Sequence, residues 1–180
     1  MTILVAACLT APGVQAQADE SDEATLERRV KAAFLFKFAS FIDWPPDTFA
    51  QADSPIRIAV MGDEAMAQDV LEASMNRTVE GRWVEVRPIA DGDTLDGVNI
   101  LFLRDTAAAR LGRSIADLEP RAILVVTESA GGLRRGSIIN FVLDGGRVRF
   151  DISLDEAARR GIRLSSRLIT VSRQVLGGPR

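Results

Sequence analysis

The chain has 180 residues, a length typical of one domain and sufficient to bury a substantial core. Hydrophobic residues make up 47% of it, charged residues make up 26%, and the formal net charge is -3. Nucleic-acid-binding proteins normally present a strongly basic face, so this slightly acidic balance argues against a DNA or RNA partner.

The residue types that are missing restrict the chemistry further. The chain has no histidine and no tyrosine, and its single cysteine, Cys8, lies near the N-terminus. The commonest general base, the usual zinc ligands and a thiol nucleophile are therefore absent from the folded part. Carboxylates and Ser-Lys pairs remain as alternatives, but no phosphate-binding or nucleophile-elbow motif occurs. We expect a protein without catalytic activity, cofactor or metal ion.

The N-terminal segment resembles an export signal. The apolar stretch TILVAACLTAPGV is followed by small residues of the kind that signal peptidase reads, which predicts a signal peptide over residues 1–18 and one exported domain over residues 19–180. No Lys or Arg occurs before Arg28, so either the signal is atypical or the true start of the protein lies farther upstream. Two alternatives remain: a lipoprotein signal that ends at Ala7, with Cys8 acylated, and a disordered apolar tail of a cytosolic protein.

The first folded element is predicted to be a helix from Leu26 to Trp44 that ends at a double proline. An acidic, flexible leader, Asp19 to Glu23, is expected to precede it and to supply Ser21 or Asp22 as N-cap. Large apolar residues cover about half of the helix circumference at roughly 100° per residue. They are Leu26, Val30, Phe34, Leu35, Phe38, Phe41 and Ile42. This arc is wider than one core requires, so the helix is expected to be covered on two sides.

Phe36 falls on the opposite, polar side of this helix, among Arg29, Ser40 and Asp43. Two interpretations remain open: a central helix that is buried all round, or an exposed aromatic that binds a partner. Because a patch of this size is rare on a monomer, we expect self-association, most simply as a two-fold dimer. A protein partner is expected to use the same surface, with Phe36, Asp43 and Trp44 near its rim.

Strands and helices alternate over the middle of the chain, which predicts a parallel sheet with right-handed crossovers. The predicted strands are Ile56–Met61, Trp83–Ile89 as an edge strand, Val98–Leu103 and Ala122–Thr127. The predicted helices between them are Glu64–Met75 and Thr106–Leu118.

The C-terminal third has a different pattern. Ser137–Leu143 and Arg147–Ile152 are separated by Asp144-Gly145-Gly146, a strong hairpin signal. A short helix over Leu154–Arg160 and a last helix from Ser165, its cap, to Val175 follow. The predicted fold is thus a single α/β layered sandwich: a mostly parallel central sheet with an appended antiparallel hairpin and helices on both faces.

Three places carry candidate ligand-binding residues. Gly62-Asp63 ends the first strand, where α/β folds place ligands, although a turn followed by a helix N-cap is the alternative. The glycine-rich loop Gly131–Gly136 presents Arg134 and Arg135, two guanidinium groups that suit a phosphate or carboxylate, with a mobile loop of solvated arginines as the alternative.

The third candidate site rests on strand alternation. Arg149 and Asp151 face away from the apolar side of the last strand, and Arg57 does the same on the first. If the two strands are near neighbours, these side chains converge on a small zwitterion. The alternative is a solvated face with cross-strand ion pairs.

Several segments together resemble the YfiR family: VKAAFLFKFASFIDWP, then Ile56–Asp63, Gly136–Leu143, Arg147–Leu154 and Ile162–Val175. They follow the order and spacing of that family from about Val30 to the end of the chain. One departure is Ser153, where the family usually has Asn.

The resemblance implies an exported, non-catalytic protein that represses an inner-membrane diguanylate cyclase by binding its periplasmic sensor domain, which lowers cyclic-di-GMP signalling. The alternative function is a periplasmic binding protein or sensor for a small anionic or zwitterionic metabolite. That function would use the face formed by Arg57, Arg149 and Asp151, or the loop arginines Arg134 and Arg135.

Overall fold

The computed structural model describes residues 13–104 and 121–178, with side chains from residue 21 onward. Its helices are α1 (Gly13–Phe38), α2 (Glu64–Ser74), α3 (Leu154–Arg159) and α4 (Ser166–Val171), with 3₁₀ turns at Ala39–Phe41 and Leu133–Arg135. Its strands are β1 (Ile42–Asp43), β2 (Ile56–Met61), β3 (Val84–Ile89), β4 (Ile100–Leu103), β5 (Leu124–Thr127), β6 (Ile139–Asp144), β7 (Arg147–Ser153), β8 (Arg163–Leu164) and β9 (Gln174–Leu176).

Seven strands form one sheet in the order β3-β2-β4-β5-β6-β7-β9, and β1 pairs with β8 in a separate two-stranded sheet. All neighbours in the large sheet are parallel except β6 and β7, which form the antiparallel hairpin. The predicted α/β domain, with a mostly parallel sheet and an appended hairpin, is confirmed. The predicted edge strand, β3, does lie at an edge.

The central strands are short apolar runs because both of their faces are covered. On one face, Ile58, Phe102, Val126 and Phe141 pack against α1 and α2. On the other face, the second apolar cluster includes Met61, Leu101, Leu103, Val125 and Ile123. The helix predicted over Thr106–Leu118 lies outside the described residues.

The end of α1 differs from the prediction. The helix does not continue to Trp44 but stops at Phe38, and Ile42 is already extended, with φ -110° and ψ 124°. Ile42 and Asp43 instead pair with Leu164 and Arg163 of β8. The β-branched Ile42 and the extended backbone that Pro45 imposes on its predecessor both favour a strand at this point.

The start of α1 differs as well. The helix begins at Gly13, so Ser21 and Asp22 lie inside it and neither is its N-cap. The prediction of a flexible leader over Asp19–Glu23 is therefore wrong. Farther along, Arg28 Nε lies 2.7 Å from Oδ2 of the buried Asp69, which ties α1 to α2.

The C-terminal end of the chain also needs a correction. Ser165 does cap α4, since its hydroxyl accepts from Leu168 N at 3.3 Å. The helix ends at Val171 rather than Val175, because Gln174–Leu176 adds to β7 as a parallel strand. The edge of β7 offers unpaired backbone groups to this segment, as in the 2.8 Å hydrogen bond from Arg173 N to Phe150 O. The local sequence does not show that these partners are available.

Ser153, the departure from the family pattern, caps α3. Its hydroxyl accepts from Glu156 N at 3.3 Å. Serine and asparagine are about equally good at this position, so the substitution preserves the start of the helix.

Candidate functional site

Charged side chains meet where the parallel strands end. Arg104 follows β4, and its Nη1 lies 3.3 Å from Oδ2 of Asp63, which follows β2. Arg104 Nε also lies 3.8 Å from Glu128, which follows β5. Lys31 of α1 completes the network, since its Nζ donates to Glu128 at 2.7 Å and also to Glu27. The carboxyl edge of the sheet is thus a connected ion-pair network.

Asp63 has a structural role in this network. Its Oδ1 accepts from Met66 N at 2.9 Å, so it is the N-cap of α2. Its other oxygen, Oδ2, is paired with Arg104. Gly62-Asp63 is therefore a turn followed by a helix N-cap, the alternative to a ligand-binding site.

Lys31 is 8% exposed. Burial by itself lowers the pKa of this ammonium, but hydrogen bonds to Glu128 and Glu27, with their charges, outweigh burial and raise it above the usual 10.5. Lys31 is therefore a cation over the whole neutral range, and it pairs with the two glutamates beside it.

A cavity of about 620 Å³ opens beside this network, between α1, residues 128–134, the β6–β7 hairpin and β9. We call it the edge cavity. Its charged lining residues are Glu27, Lys31, Glu128, Arg134, Asp151 and Arg173. Arg134 and Asp151, predicted as parts of two separate candidate sites, thus line one cavity.

Asp151 is held firmly at the wall of the cavity. It is 7% exposed, and both of its oxygens accept from Arg173, at 2.8 Å from Nε and 2.5 Å from Nη2. The hydrogen bonds and the charge of Asp151 raise the pKa of Arg173 above its usual value. The sequence did not identify Arg173, because it lay inside a predicted helix. Its place next to a strand that pairs with β7 is visible only in the fold.

Asn140 is a second lining residue that sequence reasoning missed. It lies in β6, is 6% exposed, and accepts at Oδ1 from Thr127 Oγ1 at 2.6 Å and Ser129 N at 3.2 Å. Ser137 Oγ lies 3.0 Å from the same Thr127 hydroxyl. The available signal was a polar residue inside the apolar run GSIINFVL.

The structure does not bring Arg57 to Arg149 and Asp151. Three strands, β4, β5 and β6, lie between β2 and β7. At roughly 4.8 Å per strand, the two strands are about 19 Å apart. Arg57 instead pairs with Glu85 on the adjacent β3 at 2.9 Å, which is the cross-strand ion pair of the alternative interpretation.

The other two candidate arginines also lie apart from the cavity. Arg149 is exposed on β7 opposite Val142. Arg135 Nη2 donates to Ser129 Oγ at 2.5 Å, which ties the glycine-rich loop to its own base.

The aromatic candidates at the end of α1 differ in exposure. Phe36 is only 5% exposed, and the guanidinium carbon of Arg77 lies 4.4 Å from its ring centroid. This burial favours the core interpretation over the exposed aromatic. The large apolar residues that α1 exposes among the described side chains are Leu26, at 64%, and Val30, at 36%.

Asp43 is exposed in β1, and Trp44 is half-buried beside it. The Trp44 ring packs edge-on against Phe49 with centroids 6.2 Å apart. Its Nε1 is enclosed and donates no hydrogen bond within the part of the chain that the structure describes.

No helix among residues 13–104 and 121–178 is long and apolar enough to cross a bilayer. Within the same residues, no group of three or more His, Cys, Asp or Glu side chains could hold a metal ion.

Among known protein families, the one described as YfiR/HmsC-like matches residues 28–173. The match runs from α1 to Arg173 and includes the cavity residues Lys31, Glu128, Asn140 and Asp151. The family resemblance expected from the sequence is confirmed.

Proposed function

Because the chain belongs to the YfiR/HmsC-like family, we propose that it represses an inner-membrane diguanylate cyclase from the periplasm, by binding the periplasmic sensor domain of that enzyme. Repression lowers the level of cyclic-di-GMP. The observation that carries this proposal is the family match over residues 28–173, since the family suggests a regulatory protein of the periplasm. Like the family, the protein acts by binding and not by catalysis.

The exposed side of α1 supports a specific binding surface. Leu26, Val30 and Ala33 are all exposed and recur at helical spacing, so they form one stripe, the α1 outer stripe. The opposite side of the helix is core. The partner surface therefore centres on this stripe and extends toward Asp43 and Trp44, and Phe36 supports it from within.

The function is tested by cyclic-di-GMP levels in cells. Deleting the gene raises cyclic-di-GMP, and the wild-type gene restores the low level. The double variant Leu26→Glu, Val30→Glu fails to restore it, because two carboxylates prevent burial of the stripe. Gln68→Glu, which adds a carboxylate at an exposed position of α2, is the matched control and restores repression.

Unchanged cyclic-di-GMP after deletion, in a strain that carries a candidate cyclase, contradicts the function itself. If the double variant represses as well as wild type, the repressor function is unaffected, but the α1 outer stripe is not the partner-binding surface.

The same stripe is proposed to form a two-fold homodimer, with which the partner competes. Light scattering of the purified exported protein is expected to give twice the chain mass, and Val30→Glu is expected to give the monomer mass. A wild-type protein that stays monomeric at high concentration contradicts the dimer.

A further inference from the structure

We infer that the edge cavity binds a small organic carboxylate with an apolar body, and that the side-chain amide of Asn140 and the guanidinium of Arg134 hold its carboxylate. This site does not rest on the proposed repressor function.

The orientation of Asn140 is fixed by its neighbours. A backbone N–H can only donate, so the atom that accepts from Ser129 N must be the amide oxygen. Thr127 Oγ1 lies on the same oxygen at 2.6 Å. The NH₂ group therefore points away from both partners.

That NH₂ group has no acceptor within the described residues, although the side chain is 6% exposed. The NH₂ group is not fully enclosed by protein atoms. Since Asn140 lines the edge cavity, we take this group to open onto it. Buried polar groups in folded proteins are normally hydrogen-bonded, and an unused buried donor that faces a cavity indicates an acceptor from outside the chain.

The glycine-rich loop packs closely over Asn140, and Gly132 is the point of closest approach. A Cβ atom on Gly132 would lie 2.2 Å from Thr127 Oγ1 and 2.4 Å from Asn140 Oδ1, so only glycine allows the loop to approach so closely. The loop backbone is closed by a 3.0 Å bond from Gly132 N to Ser129 O. The donor is thus held in place before any ligand arrives, which reduces the entropy cost of binding.

Among the described residues, one cation of the cavity lining is left to pair with an anion. Lys31 is paired with Glu27 and Glu128, and Arg173 is paired with Asp151. Arg134 is the lining cation that has no carboxylate partner among the residues described. A guanidinium and an amide donor in the lining of one cavity suit a carboxylate, which can accept from both.

The rest of the cavity selects the body of the ligand. Leu133, Phe141, Val142, Leu143 and Leu176 contribute to its lining. Its volume of about 620 Å³ falls within the range of sites for small organic molecules, roughly 300–1,000 Å³. A bare inorganic anion would leave these apolar walls in contact with water.

The test uses 3-phenylpropanoate as probe, with 3-phenylpropanamide and inorganic phosphate as comparisons, and titrates each into the full exported protein. We expect 3-phenylpropanoate to raise the melting temperature in a concentration-dependent way, since a ligand of the folded state stabilises it. The amide and phosphate should leave it unchanged. No shift with the carboxylate, or an equal shift with phosphate, overturns the inference.

Two variants locate the site by isothermal titration. Arg134→Gln is exposed and should fold normally, and it should weaken binding of the probe about tenfold or more, the effect of losing a charged hydrogen bond. Arg149→Gln, an exposed arginine that does not line the cavity, should bind like wild type. Asn140→Asp replaces the free donor by an acceptor and should abolish binding. Undiminished binding in both Arg134→Gln and a folded Asn140→Asp places the ligand elsewhere and contradicts the inference.

Discussion

Within α1, the N-terminal and C-terminal halves of the segment Leu26–Phe38 have similar apolar patterns and opposite environments. In the C-terminal half, Leu35 is 0% and Phe38 is 1% exposed, and the Phe38 ring centroid lies 5.1 Å from that of Phe150. In the N-terminal half, Leu26 and Val30 are 64% and 36% exposed. The difference arises because Phe34 and Phe38, in the second half, pack against Phe141 and Phe150 of the hairpin. An apolar arc in the sequence therefore identifies residues that favour burial, and the fold determines whether another part of the same chain buries them.

The largest effect is expected where a charge enters the buried half. Phe36→Glu places a carboxylate in a site that is 5% exposed, beside one arginine at 4.4 Å, and should lower the free energy of unfolding by about 4 kcal/mol or more. Little folded protein should remain by circular dichroism. Ala33→Glu, an exposed position on the same helix, is the control and should fold normally. If the two variants are equally stable, Phe36 is accessible after all, and its role as a partner contact returns.

Removal of one ring from the buried half should come next. Phe38 stacks on Phe141 at 5.7 Å and meets Phe150 edge-on at 5.1 Å. Phe38→Ala leaves a cavity between these rings and should lower the free energy of unfolding by about 3–5 kcal/mol, as measured by urea denaturation. A loss below about 1 kcal/mol would mean that the cluster collapses around the gap and that the helix is not fixed by it.

The boundary between the two halves is Lys31, whose raised pKa gives a pH dependence. Its folded pKa lies above the unfolded value near 10.5, so its contribution is complete below that pH and is lost as pH rises through the folded pKa. Lys31→Met should cost about 1–3 kcal/mol at pH 7, because it leaves Glu27 and Glu128 without their shared cation.

The pH dependence can be assigned with few competing groups. The chain has no tyrosine, and its only other lysine is Lys37, which is exposed. Wild type should therefore lose stability above about pH 10.5, while Lys31→Met shows a flatter profile in that range and Lys37→Met follows wild type. Parallel wild-type and Lys31→Met profiles would show that this ammonium is not coupled to folding.

The elements that sequence predicted correctly depend on local signals. The apolar runs of β2, β4 and β5 and the Asp144-Gly145-Gly146 turn are readable within a few residues. The errors at the end of α1 and at β9 have a different origin: β1 and β9 exist because β8 and β7 offer them partners distant in the chain. No local pattern contains that information.

The candidate site shows the same limit. Arg134 and Asp151 were each identified as ligand-binding candidates, but Asp151 was grouped with Arg57, because alternation gives the face of a strand and not its place in the sheet. Asn140 became visible only when the fold showed that its oxygen is occupied and its NH₂ is not.

The smallest effect on stability is expected in the exposed half. Leu26→Ser removes a side chain that is 64% exposed, so folding loses little buried area, and the free energy of unfolding should change by no more than about 0.5 kcal/mol. The same substitution farther along the helix, Leu35→Ser, removes a fully buried side chain and should cost about 3 kcal/mol or more.

The dependence of the melting temperature on protein concentration is a sharper test of the exposed residues. If the α1 outer stripe joins two copies, the wild-type melting temperature rises with protein concentration, and Leu26→Ser loses most of that rise while it matches wild type at high dilution. A Leu26→Ser variant with the same concentration dependence as wild type would show that the exposed half of α1 is not covered by a second copy.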